Sequence, residues 1–93
     1  MADTQILSRI SFRAPTQKLS DHGLVAWADI QHGLLVVQGV EVRRTLDQRV
    51  VISFPPARVL GGRLSASARP VSDPARTVIQ AEIIAAAMRE GWL

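Results

Sequence analysis

Between Thr4 and Arg13 the chain alternates, with Ile6, Ser8, Ile10 and Phe12 on one side and Leu7, Arg9, Ser11 and Arg13 on the other. This is the period of a half-buried strand. The polar stretch from Ala14 to Gly23, with Pro15 near its start, reads as a mobile loop. A second strand is predicted from Leu24 to about Gln31. Leu24, Ala26, Ala28 and Ile30 share one face, and Val25, Trp27 and Asp29 the other. His32-Gly33 suits a tight turn, and a third strand resumes at Leu34, with Leu34, Val36, Val40 and Val42 together. Gly39 breaks that pattern and predicts a bulge or a close backbone approach.

After a turn near Leu46-Asp47-Gln48 the run Val50 to Phe54 is apolar on both faces, which places it inside a sheet. Pro55-Pro56-Ala57-Arg58 and a Gly61-Gly62 turn follow. The return strand Arg63 to Arg69 then puts Leu64, Ala66 and Ala68 inward, and Arg63, Ser65, Ser67 and Arg69 outward, before Pro70 ends it. Asp73-Pro74 reads as a helix start, Asp accepting from free N–H groups and Pro fitting the first helical position, with the helix running to Arg89 or Glu90. Thr77, Val78, Ala81, Ile84, Ala85, Met88 and Trp92 form one apolar stripe, while Ile79, Ile83 and Ala86 form another on a different side. A helix with two sides to bury points to its own sheet on one and a second subunit on the other. The expected fold is α+β: an antiparallel β-meander of four to five strands followed by one C-terminal α-helix, in a single domain over residues 1–93.

Composition narrows the function. A chain of 93 residues leaves much of its surface unburied, which again favours a homodimer. Cysteine is absent, so disulfides and thiolate metal sites are excluded. The amino terminus lacks the basic and apolar regions of a signal peptide, and the longest apolar run, Ile83 to Met88, is too short to span a bilayer. The expectation is a cytoplasmic protein that does not enter the membrane. The net charge is +3, and every basic residue but Lys18 is arginine, whose rigid fork of donors suits phosphate.

No constellation in the sequence supports catalysis. His22 and His32 lack a neighbouring group of carboxylates, Ser53, Ser65 and Ser67 lack a nucleophile elbow, and Gly61-Gly62 lacks the rest of a phosphate-binding loop. The chain is therefore expected to be neither an enzyme nor a cofactor or metal protein. Trp27 and Trp92 are expected to pack in the core or a dimer rather than stack on bases, because aromatic residues make up only 4% of the chain. What remains is basic: Arg43, Arg44, Arg49, Arg58, Arg63, Arg69 and Arg76 gather around strand ends, one loop and the first helical turn, where phosphates are met.

The order Val36-Val37-Gln38-Gly39-Val40-Glu41-Val42, then Val50 to Pro55, then Arg69-Pro70-Val71-Ser72 and a helix resembles the SpoVG family of stage V sporulation protein G and septation regulators. The resemblance runs from about Ile6 to Met88. The spacing from Pro55 to Pro70 matches without a gap, Arg58 falls on the family's arginine, Gly62 on its glycine, and Arg76, Ile79 and Gln80 on like residues of its helix. Pro56 and Ala57 stand where the family has Ser-Lys, Arg69 where it has His, Ser72 where it has Asn, and Val78 where it has Lys. The resemblance implies a dimeric regulator of gene expression, septation or sporulation that binds DNA, and in some members RNA. With the arginine distribution, it makes Arg58, Arg63, Arg69 and Arg76 the expected phosphate contacts. The alternative is a dimeric protein-interaction or scaffold module in which the nucleic-acid surface has weakened.

Overall fold

The computed structural model describes residues 5–58, 64–66 and 68–93, and for 56–58 and 64–66 the backbone alone. Four antiparallel strands, β1 (Arg9–Arg13), β2 (Leu24–His32), β3 (Leu35–Arg44) and β4 (Val50–Ser53), form a meander in the order β1-β2-β3-β4. A short helix, α1 (Gln17–Asp21), lies between β1 and β2, and the chain ends in the long helix α2 (Asp73–Arg89). Between β4 and α2, β5 (Pro56–Arg58) pairs with β6 (Leu64–Ala66) as a separate two-stranded ribbon. The α+β architecture is the one expected, and the departures are local.

Strand β2 follows its sequence pattern. Leu24, Ala26, Ala28 and Ile30 are all buried and alternate with Val25, Trp27 and Asp29. It turns at Gly33-Leu34, a two-residue hairpin loop with φ +60° at its glycine. Leu34 is thus at the hairpin tip and fully exposed.

The phase of β3 changes along its length. Ala28 pairs with Val40 but Ile30 pairs with Val37, so two steps along β2 are met by three along β3. The extra residue is a bulge at Gln38-Gly39, where Gly39 takes φ +77° and its N–H donates to Asp29 Oδ1 at 3.1 Å. The bulge reverses which side chains face inward. Val40 and Val42 are buried as expected, but ahead of the glycine it is Val37 that packs against the core, and Val36 that is exposed.

One face of the sheet carries the core: Leu7, Ala28, Ile30, Val40, Val42 and Ile52 pack with Ile83 of α2. Burying a side chain of this size contributes about 1.5–3 kcal/mol, so Ile83 is among the principal links between helix and sheet. The helix therefore turns inward Ile79, Ile83 and Ala86 with Ala87, and leaves Val78 and Met88 of the other stripe exposed. At the start of the chain Leu7 is buried and Ile6 exposed, the reverse of the alternation, because the strand begins only at Arg9.

Three further boundaries correct the sequence reading. The loop before β2 contains α1, capped by the Thr16 hydroxyl, which accepts from Leu19 N–H at 3.3 Å. The N-cap of α2 is Ser72 rather than Asp73: its hydroxyl accepts from Ala75 N–H at 3.2 Å, and Asp73 occupies the first turn. Most consequentially, β4 lies at an edge of the four-stranded sheet and not inside it. The Gly61-Gly62 turn and Arg63 fall outside the described residues.

The helix closes with a Schellman motif. Trp92 N–H donates to Ala87 O at 2.9 Å, Gly91 N–H donates to Met88 O at 3.3 Å, and Gly91 has φ +84°. This directs the Trp92 ring onto Phe12, with centroids 6.1 Å apart, and locks the end of α2 against β1.

Candidate nucleic-acid interface

The expected phosphate contacts come from the segment between β4 and the first turn of α2. Arg58 is the last residue of β5, opposite Leu64 of β6. Its side chain and the whole of Arg63 lie outside what is described. Arg69 and Arg76 are both exposed and stand on either side of the Ser72 cap. Arg69 follows Ala68 and precedes the buried Pro70, while Arg76 closes the first helical bond by donating its N–H to Ser72 O at 3.0 Å. In the chain the positive end of the α2 dipole falls between these two positions, with Asp73 in its first turn.

Ion pairing separates these arginines from several others. Arg13 is bound to Asp29 at 3.0 Å, Arg43 to Glu41 at 2.7 Å and Arg49 to Asp47 at 2.9 Å. Among the described residues Arg69 and Arg76 have no carboxylate partner, and neither do Arg9, Arg44 and Arg89 elsewhere on the surface. Arg43 and Arg49 thus each have a carboxylate partner, the Arg43 pair partly buried and the Arg49 pair largely exposed. Arg43 further donates to His22 O at 3.2 Å, tying the end of α1 to β3.

Two carboxylates are perturbed, and both serve structure. Burial pushes the Asp29 carboxyl up, but the hydrogen bonds from Arg13 and Gly39 N–H, with the charge of Arg13, outweigh it and hold the group below the usual range. Asp47 is held low chiefly by the hydrogen bond from the Thr45 hydroxyl, with Arg49 assisting, in the turn where Gln48 takes φ +68°. Among the described residues no group of three or more His, Cys, Asp or Glu is placed to hold a metal ion, and no helix is long and apolar enough to cross a membrane.

The sequence did not foreshadow an apolar groove of about 350 Å³ beside Arg69. Ile6, Ile30, Leu35, Val37, Val71 and Ile79 contribute to its walls, and the exposed His32 and Arg69 are its polar lining. Its walls come from segments far apart in the chain, so no local pattern announces it. The exposed Val71 is the one signal: an apolar residue in the short link between Pro70 and the Ser72 cap.

Trp27 lies on the sheet face opposite the core, half-buried, with Arg13 across from it on β1 and Glu41 on β3. Trp92, by contrast, packs inward on Phe12 as expected. No family model matches the chain, and no curated protein matches it.

Proposed function

We propose that this chain is a SpoVG-like, dimeric nucleic-acid-binding regulator, acting in gene expression, septation or sporulation within the cytoplasm, that holds DNA or RNA mainly through phosphate. The observation that carries the proposal is the pair Arg69 and Arg76, exposed, without carboxylate partners among the described residues, and flanking the α2 cap in sequence. Arg58 and Arg63 belong to the same segment of sequence and complete the proposed surface. Such contacts are made to the backbone, so binding is tolerant of sequence and weakens steeply with salt. No catalytic step and no cofactor enter this reading.

A gel-shift series with single- and double-stranded oligonucleotides at low salt tests it. A shift is expected for the wild-type chain and a weaker one for Arg69→Ala with Arg76→Ala. An absence of any shift at low salt contradicts the reading.

The apolar groove favours a second reading, a dimeric protein-interaction or scaffold module, because Ile6, Leu35 and Val71 expose apolar surface next to Arg69. Capture of a protein partner that survives nuclease treatment, and is lost on Val71→Asp, distinguishes this second reading.

A further inference from the structure

The sheet has two edges of opposite character. At one, β1 carries Arg9, Ser11 and Arg13, alternating charge and hydroxyl of the kind that discourages strand addition. At the other, β4 is Val50-Val51-Ile52-Ser53, with no charge and no proline. Among the described residues β4 has a strand neighbour on one side only, β3, paired from Glu41↔Ser53 to Arg44↔Val50. Its two faces are both apolar: Ile52 is buried in the core, Val50 packs against it, and Val51 is 41% exposed on the opposite face. This is the composition of an interior strand at an edge position.

We propose that β4 pairs with β4 of a second copy of this chain, antiparallel about a two-fold axis, so that the two four-stranded sheets become one. The proposal rests on the dimer reading above and names its interface. Charge decides between the possible edges. Two β1 strands brought together antiparallel set Arg9 and Arg13 of one copy against those of the other, like charges on one face. Two β4 strands meet with no charge opposed. A β4-to-β1 pairing is heterologous, leaves a free edge at each end and propagates into a filament, whereas β4 with β4 closes after two copies. Pro55 and Pro56 follow within three residues and cannot donate to a ladder, which confines the pairing to Val50–Ser53. Joining there also covers Val51 and extends the layer that holds Ile52.

The test combines solution mass with amide exchange on the full chain. Light scattering at micromolar concentration gives a dimer for the wild type, and Val51→Lys weakens it by at least about tenfold, since a lysine at an edge opposes its own copy. Leu34→Lys, at the fully exposed tip of the β2–β3 hairpin, leaves the dimer intact. In the wild type, amide exchange finds all four residues of β4 protected, including those that point away from β3, which an unpaired edge leaves open to solvent. That measurement decides the matter even where Val51→Lys does not fold. A monomeric wild type overturns the dimer reading and this interface together. A wild-type dimer whose outward β4 amides exchange freely overturns this interface alone.

Discussion

Glu82, midway along α2, accepts from the backbone N–H of Leu7 through Oε1 at 2.8 Å, and its other oxygen accepts from the neighbouring Ile6 N–H, also at 2.8 Å. One carboxylate thereby serves two amides that precede β1 and belong to no strand ladder. It holds Leu7 where its side chain meets Ile83 in the core. Hydrogen bonds to a charged acceptor contribute about 1.5–3 kcal/mol. Glu82→Ala is expected to lower unfolding stability by an amount in that range, about 1.5–3 kcal/mol, and Glu82→Gln by less. Urea denaturation measures the loss, and faster exchange of the Ile6 and Leu7 amides locates it.

The two sides of α2 give a sharper contrast. Ile83 is fully buried, whereas Met88 is 63% exposed. Ile83→Ala should cost about 2–5 kcal/mol, and Met88→Ala less than about 0.5 kcal/mol. Comparable losses at the two positions would mean that the helix buries the other side.

Gly39 is needed for its backbone rather than for space. A Cβ there meets nothing within 4 Å, yet its φ is +77°. Gly39→Ala is expected to destabilise by about 1–2 kcal/mol, and Gly39→Asn by less, because Asn tolerates the left-handed region better. Thermal unfolding of the two variants beside the wild type provides the comparison.

Asp29 makes stability depend on acid. Its folded value lies below the ordinary 3.8, so its contribution is complete above that value, and it is lost as pH falls through the folded value. Asp29→Asn should be less stable than the wild type at pH 7, and the difference should shrink towards pH 2. Urea midpoints measured across that range test the sign. A difference that grows on acidification contradicts it.

How much of this was legible follows from where local pattern and tertiary context agree. Strand β2 was readable because Leu24 to Ile30 alternate strictly between Gly23 and Gly33. Gly39 is legible as a bulge, but its reversal of phase at Val36 and Val37 depends on the register with β2, which no local pattern shows. The helix offered two apolar sides of similar strength, and periodicity alone cannot choose between them. The choice depends on Glu82, beside Ile83, finding two amides seventy-odd residues away in sequence. The return strand expected over Arg63 to Arg69 does not extend the meander: its Leu64–Ala66 part pairs with Pro56–Arg58 in a ribbon separate from the main sheet, after two prolines that cannot donate to a ladder. The position of β4 could not be read, since apolar character on both faces marks an interior strand whether the neighbour is in the same chain or another. In the candidate interface, Arg69 and Arg76 are exposed where the sequence put them, whereas the groove beside Arg69 depends on long-range packing that no window displays.

Contact with phosphate is tested by the salt dependence of oligonucleotide binding, followed by fluorescence anisotropy. Each lost phosphate contact reduces the slope of log affinity against log salt by about 0.9 on duplex DNA, or about 0.7 on a single strand. The wild type is expected to bind at low salt with a steep slope. Arg69→Ala and Arg76→Ala should each lower affinity across unrelated sequences and reduce the slope by about one, while Arg49→Ala, whose charge is offset by the neighbouring Asp47, should change both less. Binding that ignores salt, or slopes that Arg69→Ala and Arg76→Ala leave unchanged, would exclude these arginines as phosphate contacts.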